Sequence, residues 1–506
     1  MIRRIYTAFI SYAFVALTLT SCSDWLELYP VDEIKEEYLF SSGDGFRTAM
    51  NGIYRKMSTF DLYGSNLTWG IMDAWGQSYY LNKCSDNGGG RAMKKIADFK
   101  FKNSDLTPTT DAMWNAAWNV VANCNNLAQQ AAVADSMIFF KRERERQMIL
   151  GEAIGVRALM QFDLLRIYAP APISTDFKDN GRTFIPYVDT YPSYVNDHQT
   201  VAYCIDKIIN DLKEAQRILQ KVDEVSRMEA DRRFSVNSTT EDIFMNLRGY
   251  RLNYYAATAA LARVYLYAGK NAEAYAEAKK IIDVNDKKRY FRASTSRYDI
   301  EEYGNMKMYN DILFALYSPT ELVDWDHEMN HSSDKADTEY YLCIHKNVLN
   351  KIYGEDVKKD WRAVYQLEPV YSDTYYRTLK YNEQPTRAKY ALVNNQIIPV
   401  IRMSEVYYIA AEAIFDTNPD EAKEYLKTVK KGRGLNVDYT EVSDKKTFID
   451  LLENDARREF FGEGQIFYMY KRLNRSIKTS DPSSAEDITL TDDTAVLPMP
   501  DSELKI

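Results

Sequence analysis

The segment YYAATAALARVYLYAGKNAEAYAEAKKIID, residues 254–283, reads as two helices folded about one turn. Leu261, Ala262 and Tyr265 mark an apolar stripe at helical spacing, Gly269 interrupts it, and Ala274, Ala278 and Ile281 mark a second stripe. The same order returns in RMSEVYYIAAEAIFDTNPDEAKEYLKTVKK, residues 402–431. There Ile409, Ala410 and Ala413 precede a turn at Asn418-Pro419, and Ala422, Leu426 and Val429 follow it, each element 148 residues after its counterpart. Small residues where two helices approach, with larger ones filling the gaps, match the tetratricopeptide helix-turn-helix. A single pair of this kind is also what an ordinary αα-hairpin shows. Two in register, with helical patterns at 141–168 and 199–221 as a third pair, favour a scaffold that buries its core by stacking. The expected fold is mostly α: a tetratricopeptide-like helical-repeat scaffold with units near 108–221, 254–283 and 402–431.

Outward from the repeats, Phe46, Met50, Ile53, Tyr54 and Met57 form a helical stripe that Asp44-Gly45 opens. Residues 58–105 are broken by Gly64, Gly70, Gly76 and Gly88-Gly89-Gly90 and read as a long irregular loop, a type that is usually functional or disordered. Residues 108–134 return to helical period, with Trp114 and Trp118 on the stripe; these and Tyr265 are expected in the core. The helix at 141–168 must stop at Ala169-Pro170-Ala171-Pro172. The period is lost again over 284–400, and one strong helix is expected over roughly 445–475.

The N-terminus has a different logic. Arg3 and Arg4 precede an apolar run from Ile5 to Leu19, and then Leu19-Thr20-Ser21-Cys22. A basic start, an apolar run and small residues before a cleavage point make a signal peptide. Here cysteine follows, which resembles the lipobox of bacterial lipoproteins. A transmembrane helix is the alternative, but about 20 apolar residues are needed and Thr7, Ser11, Thr18 and Thr20 interrupt the run. An ordinary secretory signal with an unrelated cysteine is another. The expectation is a signal peptide over residues 1–21, lipidation of Cys22, and one domain over 22–506. No second apolar segment reaches spanning length, so a soluble body on a lipid tether is expected. Two or more acyl chains hold stably where one does not.

The net charge is −9, and loss of Arg3 and Arg4 takes it to −11. An acidic chain without a lysine- and arginine-rich run argues against nucleic acid as a partner; Lys141 to Arg146 alternates in sign and reads as a solvated helix face. The remaining cysteines, Cys84, Cys124, Cys204 and Cys343, are far apart and make no CxxC pair. Cys124 and Cys204 fall in helical patterns and are expected as small buried hydrophobes.

Several stretches then resemble the SusD/RagB outer-membrane lipoproteins of Bacteroidetes. They are the leader from Cys22 to Pro30, GEAIGVRALMQFDLLRIYAPAP (151–172), PVIRMSEVYYIAAEA (399–413), RREFFGEGQ (457–465) and the closing LPMPDSEL (497–504). They come in the family's order and span nearly the whole chain. Where the family usually has a basic residue and an aspartate after its EGQ stretch, Ile466 and Met469 stand here, so a more apolar helix with less buried ion pairing is expected. The resemblance implies four tetratricopeptide-like units carrying long irregular ligand-binding loops. It also implies a partner, a TonB-dependent transporter barrel of the SusC type, on which the lipoprotein sits like a lid at the outer membrane, facing the cell exterior. It implies capture of glycans, or in some members peptides, and a binding protein rather than an enzyme, with no cofactor.

A sugar's C–H face packs on an aromatic ring while its hydroxyls need donors and acceptors. Glycan-binding candidates therefore lie where rings stand in the irregular stretches 58–105 and 284–400: Trp75, Tyr79 and Tyr80 with Asn82, and Trp325 with Asp324 and Asp326. Each ring could instead pack under its own loop. His327-Glu328-Met329-Asn330-His331 fits HExxH, the spacing that sets two zinc-binding imidazoles on one helical face. Its flanks are polar, and Asp334 and Asp337 stand where the extended motif needs glycine and histidine, so a polar loop is the commoner reading of His327 and His331. An oxygen cluster from Asp324, Asp326 and Glu328 is a third reading.

Overall fold

The protein is described by a computed structural model covering residues 36–503, apart from residues 85, 87–88, 173–179, 224–227, 236–241, 293–295, 319–341, 371 and 386. Cys22, Asp324, Trp325, Asp326, His327 and His331 lie outside the described residues. The helices of eight residues or more are, in order, α1 (Gly43–Met57), α2 (Gly90–Ala97), α3 (Thr107–Val133), α4 (Arg142–Tyr168), α5 (Val201–Asp223), α6 (Tyr254–Tyr267), α7 (Asn271–Lys288), α8 (Lys346–Tyr353), α9 (Met403–Ile414), α10 (Pro419–Lys431), α11 (Lys445–Glu459) and α12 (Ile466–Leu473). The fold is mostly helical and tetratricopeptide-like.

Local chemistry sets the hairpins. Asn253 caps α6, its side-chain oxygen accepting Ala256 N–H at 3.0 Å, and Gly269, with φ +71°, turns the chain toward α7. In the second copy Asn418 caps α10 by accepting Glu421 N–H at 3.2 Å, and Pro419 takes the first helical position, where its missing N–H costs nothing. The pairs then stack in a row. α1 packs on α3, α3 on α4, α4 on α5, α5 on α6, α6 on α7, α7 on α9, and α9 on α10. Helix α4 is the central strut. Almost every side chain from Met148 to Tyr168 is buried, and the polar ones among them, Glu152, Arg157, Gln161, Asp163 and Arg166, are each buried against a partner. A Cβ on Gly155 would stand 2.3 Å from Leu252 Cδ2, so only glycine allows that approach.

Residues 289–402 leave the row between α7 and α9 and carry the strands. β1 (Ile312–Tyr317) and β5 (Ile397–Arg402) pair antiparallel, with Ala315 opposite Pro399 and Tyr317 opposite Ile397. Both strands are buried except at Tyr317. A second sheet has the order β2 (Cys343–His345), β4 (Tyr375–Thr378), β3 (Leu367–Val370), all antiparallel, and places His345 opposite Tyr375.

Three expectations change. Residues 58–105 are not an open loop: Leu62, Tyr63, Leu67, Trp69, Met72 and Trp75 are core, and the short helix Ile71–Trp75 and α2 organise the rest. The glycines here permit tight turns inside packed structure. The helix expected over 445–475 is two helices, α11 and α12, parted by Gly462 and Gly464 at φ +82° and +71°. Trp118 is only half-buried, whereas Trp114 and Tyr265 are in the core. Cys84, Cys124, Cys204 and Cys343 are buried free thiols. Among the described residues no helix is long and apolar enough to cross a membrane.

Candidate functional site

The segment carrying the first group of candidate residues is fixed from below by a buried polar frame. Its hub is Glu459, at the end of α11. Glu459 accepts Arg362 Nη1 at 2.9 Å, Arg433 Nε at 2.9 Å and Nη2 at 2.5 Å, and a further bond from Arg402. Burial alone would raise this carboxyl, but the Arg433 and Arg402 guanidiniums hold it well below the usual carboxylate range. Arg402 Nε and Lys380 Nζ both reach Glu463 at 2.8 Å. The RREFFGEGQ stretch is thus the centre of a dense buried ion network although Ile466 and Met469 follow it; Ile466 is buried and apolar.

The turn after Glu459 then grips the segment above it. Gly462 N–H and Gly464 N–H donate to Asp73 at 2.6 and 2.9 Å, and Tyr79 OH donates at 3.2 Å. Burial pushes the Asp73 carboxyl up to about 7 against the pull of those two amides. A Cβ on Gly464 would lie 2.3 Å from the Leu67 carbonyl oxygen, so the two backbones touch.

On this base stands a half-buried group of rings. Tyr80 N–H donates to the Cys343 carbonyl at 2.7 Å, tying the segment to the start of β2. Tyr80 and Tyr375 are nearly parallel, with ring centroids 5.7 Å apart and planes 12° apart. His345 completes the group, 5.2 Å from Tyr375 and 6.3 Å from Tyr80. Its Nδ1 accepts Asn347 N–H at 3.1 Å, which leaves Nε2 to carry the proton and donate outward. Asn82 Nδ2 reaches Tyr80 OH at 3.4 Å, and the Lys83 ammonium lies 5.8 Å from the Tyr375 ring. Three rings, an amide and an ammonium converge on one surface.

Sequence candidates therefore separate. Trp75 is a core residue, 0% exposed: it stacks on Phe467 with centroids 3.8 Å apart and donates its indole N–H to the Thr494 carbonyl at 2.8 Å. Tyr79 is equally enclosed, its ring against Phe461 and its hydroxyl on Asp73. Neither ring presents a face to a ligand, because the segment is packed from below rather than draped over the surface. Tyr80 and Asn82 are brought together at the surface. Tyr375 and His345 were not singled out by sequence; the only signal is the Tyr375-Tyr376 pair, and nothing local says that it meets Tyr80.

A separate cavity of about 1130 Å³ opens beside α1 and β1, lined by Arg47, Arg55, Tyr250, Tyr317 and Leu392 among others. Arg47 is committed to Glu145 at 2.5 Å and Asp242 at 2.8 Å, and the bond to Glu145 above all raises its pKa. Tyr250 and Tyr317 meet edge to face at 5.5 Å.

Known proteins share this architecture. A family model described as SusD family matches residues 277–495, and one described as starch-binding associating with outer membrane matches residues 67–235. SusD-like protein P38 of Formosa agariphila is 20% identical over 95% of this chain and 93% of its own length. SusD-like protein P2 of the same organism is 24% identical over 98% and 96%. The structure of a SusD superfamily protein from Bacteroides thetaiotaomicron superposes with a TM-score of 0.65 at 23% identity, covering 92% of this chain and 97% of that one. A SusD superfamily protein from Bacteroides vulgatus gives 0.67 at 21%, covering 92% and 96%. With its helical row, its two small sheets and these matches along its length, the chain belongs to the SusD/RagB family.

Proposed function

We propose that this is a cell-surface lipoprotein that captures oligosaccharides and delivers them to a TonB-dependent transporter of the SusC type. Residues 1–21 are the cleaved signal, Cys22 carries the lipid, and residues 22–506 act as one SusD-like unit at the exterior face of the outer membrane. The protein works by binding, not catalysis. The observation that carries this reading is the surface group of Tyr80, Tyr375 and His345 flanked by Asn82 and Lys83. Flat rings pack on the C–H faces of sugars, and amide, imidazole and ammonium donors satisfy hydroxyls that would otherwise lose water on binding. The family model described as starch-binding supports a carbohydrate over a peptide.

Calorimetric titration of the purified protein with a panel of oligosaccharides tests it. Binding to at least one glycan, weakened about tenfold (about 1.4 kcal/mol) by Tyr80→Ala or Tyr375→Ala with folding unchanged, is the expected result. Silence across the panel with binding to peptides would move the assignment to peptide capture. Recovery of a barrel partner with the tagged protein from membranes checks the delivery half of the reading.

A further inference from the structure

A second cleft, distinct from the ring group at Tyr80, lies between α3 and the strap of residues 183–198. Its volume is about 900 Å³, which is ample for a short oligomer. Trp118 on α3 and Tyr191 and Tyr194 on the strap supply rings, and Asn115, Asp197 and Glu503 supply polar groups. The strap is built, not draped. Asn125 donates to the Val188 and Thr190 carbonyls at 3.1 and 3.2 Å. Gln129 both donates to the Tyr191 carbonyl and accepts Tyr191 N–H, each at 2.7 Å. Gln161 does the same for Val188, at 3.2 and 2.7 Å, and Arg157 donates to the Asp189 carbonyl at 3.2 Å. Two helices thus spend two buried amides, an exposed one and a buried guanidinium on one connecting segment.

Beyond Tyr191, where these bonds end, the strap leaves Tyr194 87% and Val195 75% exposed. The bonded part of the strap fixes one wall of the cleft, which spares a ligand the cost of ordering it, and the bare Tyr194 ring stands where a ligand can meet it. The charge is one-sided as well. Among the described residues lining the cleft there is no lysine or arginine; Asp197 and Glu503 are acidic, and His198 Nε2 stands 3.8 Å from Glu503 Oε1. Acceptors beside rings suit sugar hydroxyls, and Asp197, with no lysine or arginine among the described lining residues, repels uronates and sulfated sugars.

We propose that this cleft is a second saccharide subsite, selective for neutral oligosaccharides, in which Tyr194 and Trp118 hold sugar rings and Asp197 accepts hydroxyl hydrogens. This rests on the carbohydrate-binding reading above. The full-length protein in detergent is titrated with maltohexaose, cellohexaose, laminarihexaose, xylohexaose and hexagalacturonate. The titrations are repeated for Tyr194→Ala, for Asp197→Asn and for the double variant Tyr80→Ala/Tyr375→Ala. Expected is a neutral hexamer that still binds the double variant and loses at least tenfold in affinity with Tyr194→Ala, at an unchanged melting temperature. A smaller loss is expected with Asp197→Asn. Neutral binding unmoved by Tyr194→Ala, or binding of hexagalacturonate alone, overturns the cleft while leaving carbohydrate capture intact. Silence toward all five hexamers overturns both.

Discussion

Trp75→Ala removes an indole enclosed between Phe467 and Phe101 and strands the Thr494 carbonyl, so it is expected to cost about 3–5 kcal/mol in urea unfolding. Five residues on, Tyr80 should behave oppositely, with little change in stability and a loss in ligand affinity. What separates the two is which side of a packed segment each ring faces, and an irregular sequence pattern carries no such information. Asp73 gives a pH signature. Its folded-state pKa, about 7, lies above the ordinary carboxylate value, so the folded state holds a proton that the unfolded state has already lost. Its contribution to stability is full at low pH and is lost as pH rises through about 7. Against Asp73→Asn, the advantage of the native protein in urea unfolding should narrow between pH 4 and 7 and then level. A gap that stays level from about pH 5 to 7 would mean a carboxylate ionised in the folded state throughout.

At the scale of elements, the hairpins α6–α7 and α9–α10 were readable because their apolar stripes are local and recur 148 residues apart about a turn signal; their caps do not recur, since Asn253 caps α6 and Asn418 caps α10 while α7 and α9 have no side-chain cap. The break between α11 and α12 was not. Gly462 and Gly464 weaken a helix locally without having to end it, and what ends it is tertiary: Gly464 must lie against the Leu67 carbonyl while its amide bonds Asp73. Gly464→Ala, at φ +71° and with that contact, should lower stability by about 2–3 kcal/mol, read as a shift in the urea midpoint at unchanged slope. The surface ring group was illegible for a related reason. His345 and Tyr375 meet through strand register, and Tyr80 joins them through one backbone bond to Cys343, so the group exists only after three distant segments are paired.

For the whole molecule, the proposed tether sets the test. Cys22→Ala should abolish incorporation of labelled palmitate and move the protein from the membrane fraction to the soluble fraction without altering the unfolding curve of the body. The family resemblance was readable because its signature stretches are the structural joints: the RREFFGEGQ stretch holds the polar frame, and residues 151–172 form most of the central strut and its end. The stacking of α7 directly on α9, with residues 289–402 looped out between them, bears on how the molecule comes into being. In a regular repeat array each hairpin meets its neighbour within a few residues of synthesis. Here the loop to be closed is far longer, at an entropic cost of about 0.6 kcal/mol per doubling, and the α6–α7 pair waits for a partner made late in the chain. The array can zip from α1 through α7, but its joint to α9 closes only when the chain beyond residue 403 has emerged. On the proposed route across a membrane, that one joint stays open until the last part of the chain is through.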